Sequence, residues 1–273
     1  MWGGDVVTWF GRSRKRAGKG TAPAEAGGGS GDDPLHTADA LRLAYGQTGD
    51  PALLRRAVQV AERAEDHYPA DDPRRASTLS ALCMLYRLRW ERERDIRLLE
   101  RSLEYGRQAV DTSPPGDPDL PRHMSSLATS LQEAFDHGGR LADIDEASAL
   151  YRACLDLLPP DDPEYASQRS NLANSLLRRV QREPDSATLQ EALGHARGAL
   201  GATPADHPDH PIRLVNYGGA LMLLALAGSR EHAAQAQAMY EQALREFPPS
   251  HPARTGIQQA IQRLRLLRGT SGP

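Results

Sequence analysis

Two cysteines, Cys83 and Cys154, and nine histidines are the side chains of this 273-residue chain best suited to nucleophilic or metal chemistry. A Cys–His hydrolase needs one thiol held as the thiolate beside an imidazole, because the thiolate is the attacking species. The run His207-Pro-Asp-His210-Pro, with His251-Pro252 later, has residue types that bind zinc. The paired acids Asp71-Asp72 and Asp161-Asp162 could divide acid and base work. Position answers each of these readings. Both cysteines stand where their counterparts elsewhere in the chain carry Ala or Gly, as small core residues do. His207 and His251 hold a slot filled elsewhere by Asp72, Asp117 and Asp162, next to a boundary proline, where turn and capping chemistry suffices. No Gly-rich phosphate loop follows a strand pattern, and no strand pattern is present. The sequence predicts no catalytic residue, no metal ligand and no cofactor.

What positions these residues is a repeated unit, complete once between Asp117 and Pro160 and present in whole or part six times. Leu127, Ala128, Leu131 and Phe135 form one stripe, and Ala147, Tyr151, Cys154 and Leu158 a second, at the three- and four-residue steps of a helix. Gly138-Gly139 ends the first helix, Asp143 or Asp145 can cap the second, and Pro159-Pro160 stops it. Shifting by 45 residues turns Ala147, Tyr151, Cys154 and Pro159 into Ala192, Ala196, Ala199 and Pro204. Shifting back gives Ser102, Gly106, Ala109 and Pro114, then Ala57, Ala61, Ala64 and Pro69, and a last step of 44 gives Ala236, Tyr240, Ala243 and Pro248. The first-helix set runs in parallel through Leu82-Cys83-Tyr86, Leu172-Ala173-Leu176 and Tyr217-Gly218-Leu221.

At these residues the chain resembles the tetratricopeptide repeat family, whose units carry Leu-Gly-x-x-Tyr on the first helix, then Ala-x-x-x-Phe and a closing Pro on the second. The resemblance covers residues 34 to 268. The period departs from the family's usual length of about 34 residues. The extra residues imply longer helices and a longer turn inside each pair. Long repeats opening on Asp-Pro or His-Pro look like those associated with CHAT proteases or signalling NTPases in high-GC bacteria. A HEAT or armadillo array, of about 40 to 47 residues per unit, is the alternative fold. The resemblance implies an all-α, right-handed solenoid of five antiparallel helix pairs, with repeats near 33–71, 72–116, 117–161, 162–206 and 207–250. A capping helix at 251–268 and a tail at 269–273 follow.

The resemblance also places a partner-binding groove along the first helices. Carried over by position, its lining includes Arg87, Arg122, Ser125, Thr129, Gln132, Ser170, Asn171, Asn174, Arg178 and Asn216, with Ser77, Ser80 and Met84 beside them. Asparagine can bond an extended backbone as both donor and acceptor, and arginine can hold a carboxylate. The paired lysines of the carboxylate-clamp type are missing. The function implied is a non-catalytic scaffold or adaptor for a peptide or partner domain. The alternative is a regulatory or sensor subunit of a separately encoded CHAT-type protease or signalling NTPase.

Composition narrows the partners. Net charge is −3, but residues 1–30 carry a net +3, so the rest is acidic and ill suited to nucleic acid. No apolar run nears the roughly 18 residues of a membrane span. Two cysteines supply no disulfide framework, and the expected compartment is the reducing cytoplasm. Residues 1–32 read as a basic tail and Gly/Ser-rich linker of disordered composition. Within it, Trp2–Lys19 joins Trp9 and Phe10 to five cations and could touch a membrane surface or a partner.

Overall fold

Aspartate followed by proline is a start signal for a helix, and the chain uses it repeatedly. The computed structural model describes residues 33–69, 72–229 and 231–269. Among them are eleven helices: α1 (Pro34–Thr48), α2 (Pro51–His67), α3 (Pro73–Glu93), α4 (Ile96–Thr112), α5 (Leu120–Gly138), α6 (Leu141–Leu157), α7 (Tyr165–Arg182), α8 (Ser186–Gly201), α9 (His210–Leu226), α10 (His232–Glu246) and α11 (Ala253–Gly269). The tail and linker at 1–32, with Trp2–Lys19, lie outside the described residues, as do residues 270–273.

Asp33, Asp50, Asp72 and Asp95 each accept the backbone N–H two residues on, at 3.0, 2.8, 2.9 and 3.1 Å. Such a cap stabilises its helix by about 1 kcal/mol. α6 departs from the expectation. Its cap position is Arg140, which makes no side-chain cap bond, and neither Asp143 nor Asp145 serves. Asp143 stands in the first turn and binds the Arg140 guanidinium at 2.6 and 3.0 Å, while Asp145 pairs with Arg179 at 2.7 Å. A carboxylate in the first turn still faces the positive end of the helix dipole, so α6 keeps electrostatic support without a cap bond.

The long period does not lengthen the turns inside the first three pairs, and that expectation is corrected. Only residues 49–50, 94–95 and 139–140 separate those partner helices. The extra length lies in helices of 15 to 21 residues and in the connections between pairs, at 113–119, 158–164 and 202–209. The short turns work because their first residue is left-handed: Gly49 at φ 71°, Arg94 at φ 58° and Gly139 at φ 69°. In that conformation its N–H reaches back to the carbonyl four residues earlier, at 2.7, 3.0 and 2.7 Å. Arg94 is the one side chain forced into a glycine's conformation here, and its guanidinium lies over the Trp90 ring at 5.3 Å.

The chain divides into two compact units, the first ending at Ala134 and the second starting at Phe135, inside α5. In the first, α1 packs on α2, α2 on α3 and α3 on α4, and α1 also touches α3. Leu54, Val58, Leu79, Leu82, Leu85, Trp90 and Leu99 form its core. In the second, α6 through α11 pack each on the next, and α7 touches α9. Its core gathers Leu214, Leu221, Met222, Tyr240, Phe247, Ile257, Ile261 and Leu264. α11 buries those last three residues and exposes Gln262 and Arg265, so it is apolar on one side and polar on the other.

Within a pair, size is matched across the contact. A Cβ on Gly106 of α4 would fall 2.9 Å from Cys83 Sγ of α3, and one on Gly218 of α9 would fall 3.1 Å from the Tyr240 ring of α10. Where one helix brings the larger residue, its partner brings glycine. Each unit also carries one seam arginine of the same kind. Arg75 donates to the carbonyls of Glu65 and Tyr68 at 2.9 and 3.2 Å, and Arg254 donates to those of Leu244 and Phe247, the latter at 3.0 Å. Both satisfy the last carbonyls of the preceding helix, groups a helix end leaves without partners.

Gly218→Ala is expected to destabilise the protein by about 1–3 kcal/mol through overpacking against Tyr240. Gly46→Ala, whose added Cβ meets nothing within 4 Å, should instead stabilise α1 by up to about 1 kcal/mol. Arg94→Gly should be stabilising by about 0.5–1 kcal/mol, since it removes the left-handed strain. Urea unfolding of the three variants beside the wild type checks the signs.

Candidate interaction face

The chemistry-bearing side chains sit where they cannot act as nucleophiles. Cys83 and Cys154 are free thiols, both fully buried. Burial raises the Cys83 thiol above the ordinary range even though Ser130 and Ser102 lie beside it, at 3.4 and 3.6 Å. Burial also pushes Cys154 up to about 12. Neither is a thiolate at neutral pH, so neither can attack.

The histidines of the metal reading are held by backbone and ring contacts. Asp117 Oδ1 accepts the N–H of Asp119 at 2.9 Å, and Asp162 Oδ1 that of Glu164 at 2.7 Å. At the two later boundaries a ring nitrogen does the same work. His207 Nδ1 accepts from Asp209 at 3.1 Å, and His251 Nδ1 from Ala253 at 3.2 Å. His251 also stacks on Phe247 at 4.1 Å, and His210 Nδ1 lies 2.7 Å from Glu246. Among the described residues, no three metal-ligating side chains converge.

The ten side chains assigned to the groove divide by exposure. In the first unit Arg122 is exposed, Arg87, Ser125 and Thr129 are half-buried, and Gln132 is buried. In the second unit Asn171 is half-buried, while Ser170, Asn174, Arg178 and Asn216 are each 9% exposed or less. Some of the buried ones bind a neighbouring helix and some bind within their own. Asn216 Nδ2 donates to Ser170 Oγ at 2.7 Å, across from α9 to α7. Arg178 donates to Asn174 Oδ1 at 3.0 Å and pairs with Asp136.

The Asn216–Ser170 bond belongs to a ladder whose rungs join successive first helices. Arg122 Nη2 donates to Ser77 Oγ at 3.4 Å and Ser80 Oγ to Ser126 Oγ at 3.3 Å in the first unit. Arg213 Nη2 donates to Ser167 Oγ at 3.0 Å in the second. The rungs link residues 45 or 46 apart, one period or one period plus one. Ser126, Ser167, Arg213 and Asp136 were outside the sequence assignment. A polar residue facing another at that spacing was the signal that would have found the first three; Asp136, 42 residues from Arg178, falls outside it.

Among these ten residues, Arg122 carries the exposed charge. Arg122 pairs with Asp119 at 3.2 Å, and the guanidinium holds that carboxyl below its usual range. Both partners are half-exposed, so the pair contributes little and stays open to exchange with another carboxylate. Arg87 is paired with Glu91 on its own helix.

No family model and no curated protein matches the chain. Its likeness is to solved structures. A Podosopora anserina protein described as a kinesin light chain of nearly identical TPR-like repeats aligns over 84% of this chain and 98% of its own, at 17% identity and a TM-score of 0.53. The assembly chaperone of RpL4 (Acl4) aligns over 85% of this chain and 84% of its own, at 17% identity and a TM-score of 0.53. The likeness is one of fold: the helix pairs are TPR-like repeats.

Neither thiol should react with a disulfide reagent in the native protein at pH 7, and both should react once urea unfolds it. Absorbance of the released thiolate reports the count. Asn216→Ala should cost about 1–3 kcal/mol, because it leaves a buried hydroxyl on Ser170 without its donor, and unfolding by urea measures that cost.

Proposed function

From a chain folded as TPR-like repeats, we infer a non-catalytic scaffold or adaptor that holds a peptide or a partner domain against its first helices. The observation that carries this reading is the contrast between the two sides of each first helix. One side is closed on its second helix by Leu79, Leu82 and Cys83 in α3, or by Leu172, Ala173 and Leu176 in α7. The other presents Arg87, Arg122, Ser125, Thr129 and Asn171, polar and at least partly exposed. Side chains of this kind bond an extended chain through its amides and its carboxylates. In the second unit the bonds of Asn216 to Ser170 and of Arg178 to Asn174 and Asp136 hold the helix that carries Asn171.

No helix among the described residues is long and apolar enough to cross a membrane. The two free, buried thiols support a reducing cytoplasm as the compartment. The printed name of one structural neighbour, an assembly chaperone of RpL4, supports capture of another protein as a use for this fold.

The test is a pull-down with the full chain as bait, beside Arg122→Ala and Asn171→Ala singly and together. A partner that binds the wild type should bind the double variant about tenfold more weakly or worse, the worth of one charge-assisted bond lost. A partner held equally well by both would place the contact elsewhere and sink the reading. Recovery of a CHAT-type protease or a signalling NTPase by the wild type alone would make the chain its regulatory arm.

A further inference from the structure

Repeat four breaks the apolar register at the seam of α6, α7 and α8. Arg169 on α7 occupies the position held by Leu79, Met124 and Leu214 on the first helices of repeats two, three and five. His195 on α8 occupies that of Val60, Tyr105, Leu150 and Met239. The helix facing Arg169 has been cleared for it. Position 198 is glycine, the guanidinium fills the space any side chain there would take, and Arg169 Nη2 donates to the Gly194 carbonyl at 3.1 Å. A half-buried cation facing a glycine, where repeats two, three and five place Leu or Met, conflicts with the apolar register. Such conflicts mark functional sites.

The charges around that guanidinium are unequal. Glu191 is committed to Arg152, whose fork holds both its oxygens at 2.8 and 3.0 Å. His195 Nε2 is 4.0 Å from the same carboxylate, and its Nδ1 is buried with no partner among the described residues. Arg169 itself makes no ion pair among the described residues, so a partly desolvated cation is left without a counter-charge. A desolvated cation of that kind is costly unless an anion joins it.

We propose that Arg169, His195 and Arg152 form an oxyanion site for a phosphoryl group on the second-helix side of the C-terminal unit. It lies away from the first-helix face and stands whether or not that face binds a peptide. Arg169 supplies the unmatched charge and a planar pair of donors, the geometry that suits phosphate. Arg152 is exposed at the rim and can share its fork between Glu191 and the incoming oxygens. Burial, then the nearby Arg169 charge, lower the His195 pKa, so the ring is neutral in the empty site and gains a proton more readily once an anion sits beside it.

The probes are inorganic phosphate and a capped phosphoserine peptide, titrated into the full chain by calorimetry. The His195 ring protons are followed by NMR across pH. Phosphate should move the His195 titration upward. Arg169→Leu, which restores the register residue, should bind at least about tenfold more weakly while unfolding no more easily than the wild type. Arg169→Gln, which keeps a donor for Gly194 and removes the charge, should lose binding equally and covers the case in which the leucine variant misfolds. Tighter binding of the peptide than of the free ion would make the site part of a docking surface, and the reverse order a small-ion site. Absence of any His195 shift with either probe, or equal binding by wild type and both variants, overturns the proposal.

Discussion

The distance between the two helices of a pair is the constraint on which both units rest. It is set where small residues meet large ones: Gly106 against Cys83, and Gly218 against Tyr240. Once those backbones are close, Leu79, Leu82 and Leu99 in one unit and Leu214, Leu221 and Ile257 in the other can reach one another. Overpacking a contact already at van der Waals distance is costly because interiors are as dense as organic crystals. The repeat therefore tolerates exchange of residues across the contact, with Gly on either helix, but not added volume.

Between pairs the governing need is to satisfy backbone groups. Every helix end exposes donors or acceptors that must find partners. The chain meets this with aspartate at most starts, with histidine Nδ1 at the last two boundaries, and with Arg75 and Arg254 at one helix end in each unit. Neutral imidazole and carboxylate are interchangeable here because the turn asks only for one acceptor lone pair two residues before the N–H. That is why a histidine-rich run with the composition of a metal site is structural.

The same economy shapes the first-helix face. Polar side chains there are divided between rungs that tie neighbouring first helices together and groups that still meet solvent. Asn216, Ser170 and Arg178 belong to the first class and Arg122 to both, since it reaches Ser77 while remaining exposed. Position in the repeat alone does not separate the two. Ser125 and Ser170 are register equivalents, yet one is half-buried and the other is 1% exposed.

The sequence by itself determined the helix pairs, their order, the burial of both cysteines and the capping role of the boundary histidines. These follow from local rules: a 3.6-residue period, caps within four residues, and a register that assigns each residue its counterparts. The same register held the anomaly at Arg169, legible beside Leu79 and Leu214 but meaningful only once its guanidinium was seen across Gly198. The short turns were misjudged because a left-handed residue and an aspartate close a helix pair in two residues, which period length does not reveal. Which polar groups are consumed and which stay available was decided only by the tertiary structure. A hydrogen bond depends on tenths of an ångström between atoms some 45 residues apart, and no periodicity carries that precision.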